Sequence, residues 1–529
     1  MTKGYLSIIL HAHLPYVRHP EYEFSLEEKW LFEAITETYI PLLAVFRRLD
    51  ADKIDYRLTI SISPTLAAMW QDEYLQEKYR GYLLRLLDLA DKEVNRTAGD
   101  PEFSPLARHY RRRFQQTYFD FFETYQGDLV AAFRKAAENG KIELITSAAT
   151  HGYLPLLYTQ PQAVYAQLYA AVQQHTQLFG RPPLGIWLPE CAYDYGLDEI
   201  LAELGINYFF VEAHGIYYAV PRPAYGTFSP IITPAKVAVF GRDEESSKQV
   251  WSKTEGYPGD FYYRDFYRDI GFDLPKEYIG PYIHPDGIRI HTGFKYYRIT
   301  GKTDYKEPYI LERGQKKAAE HAGNFMFNRE RQIEYAASQM DRPPIVVAPY
   351  DAELFGHWWY EGPDWLEYLL RKIHHDQETF KTITPSEYLK LGVPLQEAEP
   401  SASSWGNEGY HAVWLNESND WMYRHLHMAA ERMIRAATDF AGAEGLQKAA
   451  LNQLGRELLL AQASDWPFIM ATGTMVQYAQ TRVHDHLVRF NRLLEQLYNN
   501  KIDAKWLQML QQADNIFPDL DYRIFAGIK

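Results

Sequence analysis

Short apolar runs, each followed by a long amphipathic stretch, recur through the first two-thirds of this 529-residue chain. Residues 6–10, 57–62, 142–146, 184–188, 206–211 and 345–348 read as buried strands, bounded by turn signals or helical periodicity. Between them, helices are expected over 30–49, where Ser25-Leu26-Glu27-Glu28 offers a capping box, and over 162–178, 197–204 and 314–339. Strands that alternate with helices imply a mostly parallel sheet, closed or open.

Three stretches depart from this alternation. Residues 65–138 read as helical, with a break near 97–105. Residues 213–310 are dense in Gly, Pro, Tyr and Asp and carry little helical periodicity, so they read as an aromatic-rich functional loop region. Residues 414–515 are helical throughout. The arrangement expected is an α/β, barrel-like catalytic domain over 1–400, with a helical insertion at 65–138, followed by a helical C-terminal domain over 401–529. In such sheets, active sites form beyond the carboxyl ends of the strands.

Those strand ends are rich in chemistry. His11 and His13 follow the first, His151 the third, Glu190 the fourth, Glu212 and His214 the fifth, and Asp351, Glu353 and His357 the sixth. Glu190 and Asp351 suit glycosidic chemistry, which needs one ionised carboxylate and one protonated carboxyl group. Helix capping or a loop ion pair would explain either residue equally well. Alternate residues of a strand face one way, so His11 and His13, with His151 or Asp351, could hold a metal. The same imidazoles could instead hydrogen-bond sugar hydroxyls. Cys191, the one cysteine, reads as a small hydrophobe and leaves no partner for a disulfide.

Composition narrows the partners. A net charge of −14 argues against a nucleic-acid or anionic-membrane surface. No run of about twenty apolar residues is present, so no membrane span is expected, and a cytoplasmic protein is the expectation. Aromatic residues make up 15% of the chain. Core packing accounts for that, and so do flat platforms for sugar rings. Trp405, between Ser404 and Gly406, reads as an exposed platform, whereas Trp421 and Trp466 read as core. The indoles, amides and carboxylates of 403–421 and 464–467 suit a polyol groove. Arg264 and Arg268 could contact a ligand or lie on a solvated face.

Five segments together resemble the ordered signature regions of glycoside hydrolase family 57, and more narrowly its 1,4-α-glucan branching enzymes. They are His11-Ala12-His13-Leu14-Pro15, Ala149-Thr150-His151-Gly152-Tyr153, Trp187-Leu188-Pro189-Glu190-Cys191-Ala192-Tyr193, the run from Ala348 to Trp358, and Trp405-Gly406-Asn407-Glu408-Gly409-Tyr410. The resemblance implies an incomplete seven-stranded parallel (β/α) barrel with an inserted helical subdomain and a helical C-terminal domain closing the cleft. It implies α-1,4-glucan as the partner (amylose or glycogen), a retaining mechanism, and no metal or other cofactor. Glu190 would be the nucleophile and Asp351 the general acid/base. His13 and His151, with His11 close by, would line the donor-sugar pocket, and Arg264, Gly280, Trp405 and Asp465 would contact glucan. Branching enzymes also carry a water-excluding loop with a tyrosine at its tip, expected within 230–250; residues 233–249 contain no tyrosine. An α-amylase or 4-α-glucanotransferase of the same family is the near alternative. A metal-dependent amidohydrolase or deacetylase and a non-catalytic glycan-binding protein are the more distant ones.

Overall fold

The computed structural model describes residues 2–252 and 255–527. Its strands are β1 (Gly4–Ala12), β2 (Leu58–Ile62), β3 (Ile142–Ile145), β4 (Gly185–Ile186), β5 (Tyr208–Val211), β6 (Ile231–Ile232), β7 (Ala238–Gly241), β8 (Ile345–Asp351), β9 (Phe380–Thr382) and β10 (Gln396–Glu397). One sheet runs β3-β2-β1-β8, with β9 also paired to β1; the other runs β10-β6-β7-β5-β4. A parallel bridge between Thr146 and Ile186 joins them, reinforced by the Trp187 N–H donating to Thr146 O at 2.8 Å. The result is a curved run of seven parallel strands, β8-β1-β2-β3-β4-β5-β7. At its ends β7 and β8 are not paired as strands. One backbone bond, Asp243 N to Val347 O at 2.8 Å, spans them, and the barrel stays open there.

β1 is the hub. Ile8, Ile9 and Leu10 are wholly buried, as befits a strand covered on both faces. Its register places His11 beside Ser61 of β2 on one side and Asp351 of β8 on the other. Ser25 does cap the first helix, Leu26–Ala34, accepting from Glu27 N and Glu28 N. Glu28 does not close the expected box; its carboxylate accepts instead from His19 N and Lys78 Nζ. That helix passes into a π-turn, Ile35–Tyr39, a distortion frequent at functional sites.

The helical excursion at 65–138 is present as Pro64–Gln71, Glu73–Arg96, Ser104–Phe119 and Leu129–Ala137, with its break after Arg96. The stretch at 213–310 is not a single loop. Its first part holds the helix Ala213–Tyr217, β6, β7 and the helix Glu244–Trp251, and the described residues beyond hold only short helical turns such as Ile270–Asp273 and Lys276–Ile279. β4 is shorter than the run at 184–188 suggests, because Pro189 cannot donate to a continued ladder. Helices Asp420–Asp439, Gly445–Ala461, Asp465–Thr472, Val476–Tyr498 and Ala504–Ala513 form the C-terminal layer. It meets the barrel through Ser464 N to His151 O at 2.9 Å and an antiparallel bridge between Gly152 and Ala463. Among the described residues no helix is long and apolar enough to cross a membrane.

Candidate active site

Three non-glycine residues at the carboxyl ends of the strands hold left-handed backbone angles: His151 (φ 58°), Glu190 (φ 62°) and Cys191 (φ 50°). Such angles cost energy for residues with a Cβ and persist only where the surroundings enforce them. After β4, the turn at Pro189–Cys191 lifts the Glu190 side chain out of the strand line.

Glu190 is clamped from two sides. Trp405 Nε1–H donates to Oε2 at 2.8 Å, and Ser464 Oγ–H donates to Oε1 at 2.8 Å. Burial lifts its pKa above the ordinary value, with the nearby Asp465 charge acting the same way; the two donated hydrogen bonds and the neighbouring His13 oppose the lift. Asp351, at the end of β8, has no such donors among the described residues. Burial, then the charges of Glu353 and Glu190, push its pKa well above the ordinary carboxylate value, with Arg242 opposing. Two carboxyl groups share one site with environments that differ as an acid and a nucleophile require.

The histidines form a compact stack beside them. His11 Nε2 lies 3.0 Å from His151 Nε2, and His151 Nδ1 lies 2.8 Å from Ser464 Oγ. His13 Nε2 lies 3.2 Å from both carboxylate oxygens of Asp465. Burial, followed by the charge of His13, holds His11 and His151 well below the usual imidazole pKa. Beneath them, His11 stacks on Trp187 at 5.0 Å. Ligand atoms of His13, His151 and Asp465 lie within 4.8 Å of one another. The rings of His13 and His151, however, stack face to face at 3.7 Å and 15°. Ring lone pairs lie in the ring planes, so in this arrangement the two cannot converge on one ion at the roughly 2.0–2.1 Å of a zinc–nitrogen bond.

A supporting layer was not anticipated from the sequence. Glu353 accepts from His13 N at 3.1 Å and from Tyr39 Oη at 2.5 Å, so the π-turn braces the histidine segment. Glu37 of the same turn pairs with His357 Nδ1 at 2.6 Å. Cys191 is fully buried, and burial raises its thiol pKa well above normal, which suits an inert side chain.

Other expected residues sit differently. Trp405 is not an exposed platform: it is half-buried, edge-on to Trp187 at 5.1 Å, with its N–H on Glu190. Gly406 follows it because the Trp414 ring packs there; a Cβ would meet Trp414 Cζ3 at 2.4 Å. Trp414 is itself core, stacked on Tyr153 at 4.6 Å, and the Asn419 amide holds Val413 O and Pro467 O, so neither lines a polyol groove. Trp466 is core, as expected, whereas Trp421 is only partly buried at the edge of the core. Asp465 joins the cluster through His13. Arg264 is buried away from solvent, its guanidinium 3.9 Å over the Tyr360 ring and donating to Tyr110 Oη at 3.2 Å. Arg268 pairs with Asp273. Gly280 lies on the surface beside Tyr282, outside the carboxylate cluster. Residues 230–250 form β6, β7 and a helix, so they provide no free loop for a water-excluding tyrosine.

Residues 7–401 match the family model described as glycosyl hydrolase family 57, and residues 425–525 match one described as the C-terminal region of 1,4-alpha-glucan branching enzyme. A 1,4-alpha-glucan branching enzyme of Thermococcus kodakarensis is 36% identical over 97% of this chain and 77% of its own length. Among solved structures, an α-amylase from Thermotoga maritima superposes with a TM-score of 0.93 at 44% identity, covering 99% of both chains. A branching enzyme of Pyrococcus horikoshii superposes with a TM-score of 0.90 at 34% identity, covering 100% of this chain and 98% of its own.

Proposed function

This chain belongs to glycosyl hydrolase family 57, and from that premise we propose that it is a 1,4-α-glucan branching enzyme. The observation that carries the reading is the asymmetric carboxyl pair: Glu190 held by two donors, and Asp351 held without them at a raised pKa. A match to a branching-enzyme C-terminal region over 425–525 supports transfer in particular.

On this reading a Glu190 oxygen attacks the anomeric carbon of an α-1,4 bond while Asp351 gives its proton to the departing glycosidic oxygen. A covalent glycosyl-enzyme results. Asp351, now a carboxylate, takes the proton from the 6-hydroxyl of an acceptor glucan, whose oxygen displaces Glu190. The bond formed is α-1,6 and the anomeric configuration is retained. His11, His13 and His151 line the donor pocket, and Trp405, Asp465, Arg264 and Gly280 are the proposed glucan contacts. Arg264 is buried against Tyr110 and Tyr360, so a contact with glucan there requires the site to open. Neither metal nor cofactor enters the scheme. The substrate is amylose or a glycogen-type polymer, and the cytoplasm is the proposed place of action; a lone, buried cysteine supports a reducing compartment.

Hydrolysis is the second reading, because the Thermotoga maritima protein at 44% identity is described as an α-amylase. The two share the intermediate and differ in what attacks it. Water stands at about 55 M, so transfer wins only where the acceptor is held at a high effective concentration. Incubation with amylose, followed by debranching and chain-length analysis, tests the proposal. New α-1,6 branch points support it, whereas reducing ends without branch points mark a hydrolase.

A further inference from the structure

We propose that Ser464, delivered by the C-terminal helical layer, is a positioning residue that holds the nucleophile Glu190 in its attacking state through a one-directional hydrogen-bond chain. The inference rests on the glycosidic reading of Glu190 above.

Hydrogen counting sets the direction. The Ser464 hydroxyl has one hydrogen, and it lies on Glu190 Oε1 at 2.8 Å. Its contact with His151 Nδ1, also 2.8 Å, must then be one in which Ser464 Oγ accepts, so Nδ1 carries the imidazole hydrogen. A neutral His151 protonated at Nδ1 has a bare Nε2. That atom lies 3.0 Å from His11 Nε2, which must therefore donate. His11, neutral as well, is left with a bare Nδ1 facing Ser61 Oγ at 3.2 Å, and the single Ser61 hydrogen is shared between that nitrogen and Thr146 O, also at 3.2 Å. Hydrogen thus points from His11 to His151 to Ser464 to the carboxylate, and each tautomer is fixed by the next.

A protonated Glu190 would have to donate to Ser464 Oγ and turn the whole chain round, whereas an ionised one accepts its last hydrogen. Ser464 is fully buried, so water cannot replace it there. Its own backbone is tied to the barrel, N–H to His151 O at 2.9 Å, so seating of the helical layer and orientation of His151 are one event. The charged and titratable groups around Glu190 are His13, His151, Tyr153, Cys191, Asp351 and Asp465, with Arg242 paired to Glu212 behind them. None but Ser464 and Trp405 hydrogen-bonds the carboxylate among the described residues.

Two measurements decide the matter. In the wild-type protein, imidazole ¹⁵N NMR at neutral pH is expected to find His151 neutral with hydrogen on Nδ1 and His11 neutral with hydrogen on Nε2; either residue in the other tautomer overturns the chain. Second, turnover of an activated maltooligosaccharide, whose first step needs no help from the acid, is compared in wild type, Ser464→Ala and Ser464→Thr. Loss of a hydrogen bond to a charged group predicts a fall in kcat of about 10–100-fold in Ser464→Ala, with KM within about twofold. The acid limb of the kcat profile moves to higher pH by about one unit, because an ionised carboxylate has lost a donor. Ser464→Thr, which keeps the hydroxyl, holds the limb where it was. A folded Ser464→Ala with an unmoved limb overturns the proposal. A wild-type enzyme that fails to cleave the donor at all overturns the glycosidic reading instead.

Discussion

The indole N–H of Trp405 lies 2.8 Å from Glu190 Oε2, so this tryptophan bonds directly to the proposed nucleophile. An acceptor platform would act only after the glycosyl-enzyme has formed, whereas this contact acts before. Trp405→Phe keeps the ring and deletes the donor. Donor cleavage and branch formation are expected to fall together, by about tenfold, as befits one lost hydrogen bond to a charged group. The ratio of reducing ends to branch points stays at the wild-type value. A selective loss of branch points, measured on the same preparation, would return Trp405 to the acceptor side.

Glu190→Gln retains the shape but removes the nucleophile. Activity on amylose is expected to drop by about a thousandfold or more, as when other enzymes lose a covalent nucleophile. Added azide then restores cleavage of an activated donor and leaves a glycosyl azide of inverted configuration, read by NMR. Retention of a tenth of wild-type activity would place the nucleophile elsewhere.

On the proposed scheme Asp351 must be protonated to start the reaction. Its pKa is raised, first by burial and then by Glu353 and Glu190, so the acid form survives to higher pH and the alkaline limb of the kcat profile lies well above an ordinary carboxylate pKa. Asp351→Asn is expected to cost about 10²–10⁴ on amylose. It should largely spare glycosylation by a donor whose leaving group needs no proton, and erase the alkaline limb. A persisting alkaline limb would assign it to another group.

Gly356 holds φ at 111°, and a Cβ there would stand 1.9 Å from Glu37 O. Gly356→Ala therefore forces apart the loop after Asp351 and the π-turn that carries Glu37 and Tyr39. We expect a loss of about 2 kcal/mol or more, seen as a Tm lowered by a few degrees, with reduced activity because Tyr39 braces Glu353. An unchanged Tm would mean that the turn yields freely.

The clustering of the candidate site was legible in the sequence where its residues lie directly at strand ends. His11, His13, His151, Glu190 and Asp351 needed only the rule that active sites sit beyond the carboxyl ends of parallel strands, together with their ordered motifs. Side chains brought in by other elements were not legible. Tyr39 reaches Glu353 across 314 positions through a π-turn that leaves no periodic trace. Ser464 was noticed only as part of a polar segment, because nothing local says that it will meet Glu190. Trp405 misled for a definite reason: a flanking glycine suggests exposure, yet Gly406 is small to admit the Trp414 ring. β7 was hidden because Ala238–Gly241 is a brief strand inside a Gly- and Tyr-rich stretch.

The 274 positions between Glu190 and Ser464 also set a schedule. A ribosome adding about 5–20 residues per second needs roughly a quarter of a minute to a minute to pass from one to the other. Throughout that interval the emerging barrel already holds its nucleophile but lacks the hydroxyl that orients it. Chains that stall or are cut short after Asp351 but before the helical layer is made therefore lack that hydroxyl, and on the proposed scheme they cut glucan about 10–100-fold more slowly than the finished enzyme.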